Sequence, residues 1–363
     1  MKINMSTYES PLLKTANDTA TDYWSDTCNT DHLAYALSHG ATGATTNPTI
    51  VHAVLNEQID QWEKRIRQVV QQSPAATEID IAWTMIESVA STGAAMLKPV
   101  YNAHNGRKGR IAVQVDPRNF RNSAAMVTQA RHFQDLIENV TVKFPATTAG
   151  IDAIEEATYH GISITATVSF TVSQVIAAAE AVERGLERRV QENLPIDRIS
   201  PNCVVMVGRV DDWLKIVANK EDIIVEPDCL EWAGVAVLKR AYEIFQERGY
   251  RSRLMAAAYR NHYHWSQFIG GDLIATIPYK WALRFNDSDV EVRDRIHDPV
   301  PARFLDRLRE KFVDFNRAWE PEGLAVGEFD TYGATARTLR SFTASYDALI
   351  AMMRDYLVPD PDR

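Results

Sequence analysis

The sequence predicts an α/β chain folded as a closed (β/α)8 TIM barrel with a C-terminal helical extension. Three observations predict it. Short strand-like runs recur eight times, most neighbouring runs are separated by a stretch with helical periodicity, and neither GxGxxG nor GxxxxGK[ST] occurs. Such alternation calls for parallel strands with crossover helices, and eight strands favour closure over the alternative, an open doubly wound sheet. The missing glycine motifs remove the usual nucleotide-binding forms of that alternative.

The elements follow in order. "TDYWSD" (21–26) is the first strand; Leu33, Ala34 and Leu37 in "DHLAYALSHG" then fall at helix spacing, and Gly40 stops that helix. "GATTN" (43–47) is the second strand, broken by Pro48, and a long helical region runs from about 50 to 100. "RIAVQVD" (110–116) is the third strand, closed by Pro117. The fourth, "NVTVKFP" (139–145), alternates Val140 and Val142 with Thr141 and Lys143. "SITATVSF" (163–170) is β-branched and follows a helix stopped by Gly161. "CVVMVGR" (203–209), "RLMAAAYR" (253–260) and "LIATIP" (273–278) complete the set. From about 290 the chain is polar and helical. The expected division is an N-terminal extension (1–20), a catalytic barrel (21–290) and helices packed on the barrel (291–363), too short for a core of their own.

Composition narrows the function. A net charge of −9 without a dense basic cluster argues against nucleic acid. No apolar run reaches the roughly 18 residues of a membrane helix, and the first residues lack a signal-peptide core. Cys28, Cys203 and Cys229 are far apart with no CxxC spacing, which suits a reducing cytoplasm. A soluble cytoplasmic protein is expected.

Function in such a barrel sits where strands end. The polar residues there are Asp26, Asn47, Gln114, Asp116, Lys143, Thr165, Thr167, Arg209 and Arg260. Lys143 admits two readings: a cation facing solvent on an edge strand, or an amine in a half-dry pocket that loses its proton easily and attacks carbonyls. Several polar groups aimed into one mouth favour a pocket, since each would need a partner in a dry core. His262-x-His264 lacks a third ligand at a convincing spacing, so no metal is expected. Asp211-Asp212 is either a support for Arg209 or solvated loop charge.

"GATTNPTI" (43–50), "VKFPATTAGIDAI" (142–154), "VGR" (207–209), "AYRN" (258–261) and "TIP" (276–278) resemble the transaldolase family, in its longer bacterial branch, over roughly residues 21 to 285. The resemblance implies that Lys143 is the Schiff-base lysine and Asp26 the acid/base carboxylate. It makes Asn47 the amide holding a three-carbon fragment, with Thr165 a further candidate. Thr167 would hold a catalytic water, and Arg209 and Arg260 a distal phosphate. It further implies phosphorylated ketose and aldose substrates, a homodimer and no cofactor, because a protonated imine does the work of a metal.

Five positions depart from the family pattern. Gln114 replaces a glutamate that passes protons, as in the related fructose-6-phosphate aldolases, which release a free ketone. Thr165 replaces an asparagine, Val204 a serine, Met206 a phenylalanine, and Ala258 a serine that helps bind phosphate. The implied activity is transfer of dihydroxyacetone between sugar phosphates. The alternatives are release of free dihydroxyacetone and sugar-phosphate binding without catalysis.

Overall fold

Eight parallel strands close into a barrel in chain order in the computed structural model, which describes residues 10–359 and 361. They are β1 (Asp22–Ser25), β2 (Ala41–Thr45), β3 (Arg110–Gln114), β4 (Val140–Pro145), β5 (Ile164–Thr167), β6 (Asn202–Val205), β7 (Arg253–Ala256) and β8 (Leu273–Ile277). β8 pairs with β1 in parallel, so no edge is left and the open sheet is excluded. Each strand falls within or overlaps a run read from the sequence.

Helices begin close behind the strands because polar residues cap them. Asn47, Thr147 and Thr171 accept from the backbone N–H of Ile50, Gly150 and Gln174, starting the helices Pro48–Glu57, Thr148–Tyr159 and Val172–Gln191. Each cap contributes about 1 kcal/mol. The turn out of β4 also needs Gly150, since a Cβ there would lie 1.8 Å from the Pro145 carbonyl oxygen.

Strand ends differ from the sequence reading in a consistent way. The run 163–170 stops at Thr167 because Val168 adopts φ 52°. In 203–209 the strand ends at Val205 and Val207 already starts the helix Val207–Lys220, so Arg209 sits on a first helical turn. In 253–260 the strand ends at Ala256, Ala258 adopts φ 66°, and Arg260 lies in a turn. The helical region from 50 is also divided: Gln58 closes one helix, and its buried amide bonds the backbone and hydroxyl of Thr30. The next helices are Ile59–Gln72 and Glu78–Ala103.

Of the expected N-terminal extension, residues 1–9 lie outside the described residues; Pro11–Asp18 forms a helix packed against β1. Near the other end, Ala302–Lys311 and Val313–Trp319 pack on the helix Ala233–Arg248. The last helix, Gly333–Leu357, packs on Pro48–Glu57, Glu78–Ala103 and Val207–Lys220, and so crosses from the β2 side of the barrel to the β6 side. No helix among the described residues is long and apolar enough to cross a membrane.

Candidate active site

Six of the nine residues singled out above line one cavity of about 210 Å³ at the carboxyl ends of the strands: Asp26, Asn47, Lys143, Thr167, Arg209 and Arg260, whereas Asp116 pairs with Arg118 outside it. Gln114 and Thr165 do not line it. They flank Lys143 in the sheet, opposite it on β3 and on β5. Thr165 Oγ1 lies 3.0 Å from Thr141 Oγ1 and accepts from Asn202 Nδ2 at 3.4 Å, so its hydroxyl is used below the cavity. Gln114 is buried, and its Oε1 has no hydrogen-bond partner among the described residues.

Lys143 is no edge cation. Every residue of β4 is buried, and Lys143 itself is 6 % exposed. Its Nζ donates one hydrogen bond, to the Thr46 carbonyl at 3.4 Å, and forms no ion pair among the described residues. Burial holds its pKa below the ordinary lysine value, against the opposing pull of Asp26 and Cys28. Burial likewise raises the Asp26 carboxyl, opposed first by the Lys143 charge, then by a hydrogen bond from Thr45 and the Arg209 charge. The two shifts run toward the same state, a neutral amine facing a neutral acid, which is what desolvation favours.

Asp26 is held in place from several sides. Its N–H donates to the Ile277 carbonyl at 3.0 Å, and Thr45 Oγ1 donates to its Oδ1 at 2.5 Å. Thr276 Oγ1 lies 3.0 Å from the same Thr45 oxygen. Asn47 spends its side-chain oxygen on capping its helix, at 2.9 Å from Ile50 N, so its amide N–H2 is the part free for a ligand. The Thr167 hydroxyl has no hydrogen-bond partner among the described residues.

The two guanidiniums are unequal. Arg260 makes a forked contact with Asp212, at 3.0 Å from Nε and 2.8 Å from Nη2, and its Nη1 donates to the Ala258 and Tyr259 carbonyls. Among the described residues Arg209 has no hydrogen-bonded carboxylate; its Nη1 donates to Thr338 Oγ1 at 3.2 Å and its Cζ stands 5.3 Å from the Phe342 ring centre. Burial, then the Arg260 charge, disfavours the charge on Arg209. The charges of Asp212 and Asp26 oppose this only in part, and a guanidinium with no bonded carboxylate beside a second one is an arrangement that an anion would relieve. Gly208 makes it possible: a Cβ there would lie 1.9 Å from the Ala258 carbonyl and 2.6 Å from Arg260 Cγ.

Other expectations resolve here. Asp212 is hydrogen-bonded to Arg260 and supports Arg209 only through its charge, while Asp211 is fully buried and bonds His264 Nε2 at 2.9 Å and Gly234 N at 2.8 Å. His264 Nδ1 accepts from Arg260 N at 3.0 Å, which leaves Nε2 as the donor to Asp211. The pair therefore fastens the turn that carries Arg260. Among the described residues no group of three or more His, Cys, Asp or Glu is placed to hold a metal.

Residues missed from the sequence are Thr45, Thr276, Thr338 and Phe342. Thr45 and Thr276 stand in quoted motifs, and Thr338 and Phe342 lie in "TLRSFTASYDALI" (338–350), which resembles the same family as those motifs; nothing in the spacing of the last helix says that it crosses the mouth.

The model of the family described as Transaldolase/Fructose-6-phosphate aldolase matches residues 23–325. The chain belongs to this family. Among relatives of the same kind, "Transaldolase 2" of Streptomyces avermitilis is 31% identical over 210 residues, 56% of this chain and 55% of that protein. "Transaldolase" of Arthrobacter sp. strain FB24 is 24% identical over 321 residues, 86% of this chain and 81% of the relative. That of Acidothermus cellulolyticus is 27% identical over 252 residues, covering 65% and 64%. The chain thus spans little more than half the length of the Streptomyces transaldolase it matches. Val204, Met206 and Ala258, read above as departures from the pattern the resemblance implies, line the cavity and give it an apolar wall.

Proposed function

We propose that the chain is a class I aldol enzyme that forms an imine between Lys143 and the ketone of a phosphorylated ketose, then transfers a dihydroxyacetone unit to an aldehyde phosphate. The observation that carries this reading is a buried amine of lowered pKa, without an ion-pair partner, in one cavity with a carboxyl group and an unpaired guanidinium.

In this reading the neutral amine attacks the ketone and the carbinolamine loses water, with Asp26 supplying the proton that burial keeps on its carboxyl. The iminium withdraws the electron pair of the C3–C4 bond. Ionised Asp26 takes the C4 hydroxyl proton as that bond breaks, and the aldehyde leaves. Asn47 holds the enamine through its free amide N–H2. An incoming aldehyde reverses the sequence, and a water on Thr167 hydrolyses the final imine. Arg209, with Arg260, anchors the phosphate and so aligns the reacting carbons. The three cysteines are free and buried, which supports a reducing, cytoplasmic setting.

The test is borohydride reduction in the presence of a panel of ketose phosphates, followed by peptide mass mapping. A mass gain on Lys143 is expected, and the sugar that gives it identifies the donor; no gain with any sugar rejects the imine. Arg209→Ala is expected to raise KM for phosphorylated donors about 10- to 100-fold, the loss of one charged hydrogen bond, and to change KM for free dihydroxyacetone little. Arg260→Ala should do less, because Asp212 already neutralises that side chain. Equal effects on charged and uncharged donors count against the anchor.

Gln114 favours a second reading, release of free dihydroxyacetone. An amide orients water but does not exchange protons as a carboxyl does, and here its oxygen is buried without a partner. Turnover of a ketose phosphate without any acceptor aldehyde identifies this activity. On the transfer reading, Gln114→Glu should speed turnover several-fold by restoring a proton-passing group; an unchanged rate places the slow step elsewhere.

A further inference from the structure

The last helix, Gly333–Leu357, buries Thr335, Thr338, Phe342 and Tyr346 against the body of the barrel. They stand at i, i+3, i+7 and i+11, which is one stripe of a helix. The outer two fasten it. From the helix after β5, Gln174 Nε2 donates to Thr335 Oγ1 at 3.2 Å. From the turn after β3, Arg118 Nη2 donates to the Tyr346 hydroxyl at 3.2 Å, with Cζ 4.6 Å from that ring centre. Arg118 is itself held by Asp116 at 2.7 Å. The inner two residues of the stripe, Thr338 and Phe342, fall between these fixings, and both meet Arg209.

The two arginines of the cavity spend their donors differently. Arg260 commits Nε and Nη2 to Asp212, and Nη1 to the carbonyls of Ala258 and Tyr259. Arg209 commits Nη1 alone, to Thr338; its Nε and Nη2 have no hydrogen-bond partner among the described residues. A guanidinium grips a phosphate best through two parallel N–H groups on one edge. Of these two side chains, only Arg209 keeps such an edge unspent. What fixes its plane comes from the last helix: a hydroxyl on Nη1, and on one face a ring that also lines the cavity.

We infer that Thr338 and Phe342 are positioning residues for the anion anchor: they hold Arg209 so that its Nε–Nη2 edge meets a phosphate in the cavity. The inference rests on the phosphate role proposed for Arg209. It makes the last helix part of the binding site for charged substrates, through a residue 129 positions from the arginine it orients.

The probe is inorganic phosphate, followed by the Arg209 Nε–H signal of 15N-labelled protein, which is assigned by its loss in Arg209→Ala. In the parent that signal should shift as phosphate is added. Thr338→Val keeps the shape without the hydroxyl and should weaken phosphate about tenfold, the worth of a hydrogen bond to a charged group. Thr338→Ser keeps the oxygen and should stay within about threefold of the parent. Phe342→Leu should weaken phosphate about 3- to 10-fold. In turnover, Thr338→Val should raise KM for a phosphorylated ketose about tenfold and leave kcat within about twofold, a split that general loosening of the fold would not give. In an Arg209→Ala background, Thr338→Val should add nothing to KM. Unchanged phosphate binding in Thr338→Val, or an equal loss in Thr338→Ser, overturns the inference and leaves the Arg209 anchor standing. If phosphate does not move the Arg209 signal and Arg209→Ala does not raise KM, the anchor and this inference fall together. Imine formation at Lys143 is read separately, by borohydride labelling with free dihydroxyacetone.

Discussion

Lys143→Met is expected to lower turnover by about 10⁴-fold or more and to abolish the borohydride-dependent mass gain, with the fold intact. Methionine nearly matches the lysine side chain in length and places no nitrogen in the barrel. The native amine is buried, makes one long hydrogen bond and is held toward its neutral form by desolvation. Its replacement by a thioether removes a desolvation cost, so the melting temperature should stay level or rise. This separates catalysis from stability: a variant that melts normally and has lost both turnover and labelling has lost a nucleophile. Ligand binding should survive, since Arg209 is untouched. Labelling that persists at another lysine would relocate the chemistry, and activity that persists would end the imine mechanism. In the parent enzyme, imine formation should fall as pH drops through the lowered Lys143 pKa, because only the neutral amine attacks.

Asp26→Asn should divide the reaction. Asparagine keeps the shape of the side chain and can still accept from Thr45 through its oxygen. It cannot take the C4 proton, so carbon–carbon cleavage is expected to fall about 10²- to 10⁴-fold, the usual worth of a positioned acid or base. Imine trapping with free dihydroxyacetone, which needs no cleavage, should persist at a lower rate, since Asp26 also supplies the proton for loss of water. The Asp26 charge raises the Lys143 pKa against the effect of burial, so deleting it lowers that pKa further. Trapping should therefore extend to lower pH in the variant than in the parent. Rapid-quench borohydride measurements across pH check both parts. Cleavage at the parent rate, or a trapping profile displaced to higher pH, contradicts the pairing of these two groups across the barrel.

Much of this molecule was legible along the chain because a barrel strand is a local pattern. Short strand-like runs between helical stretches marked all eight strands, and residues that end strands were readable as candidates for the mouth. Ambiguity lay where backbone conformation changes sign without a glycine. Val168 and Ala258 have positive φ although both carry side chains, so no composition signal announced that β5 and β7 stop where they do. Such residues cost roughly 1–3 kcal/mol each and persist only where the surrounding structure holds them. Arg209 and Arg260 consequently approach the cavity from a helix and a turn, not from strands. Their different environments were illegible too, since Asp212 is three residues from Arg209 yet pairs with Arg260.

The sequence by itself determined the alternation that closes the barrel and the lysine on the fourth strand. Each depends on residues within a few positions of one another, where periodicity and hydrogen-bond chemistry act directly. Only the tertiary structure decided that the Lys143 amine is dry, that Asp26 faces it and that Thr338 and Phe342 of the final helix hold Arg209. Desolvation and charge pairing are properties of the space around a group. That space is filled by segments more than a hundred residues apart, whose meeting leaves no mark on the local order of the chain.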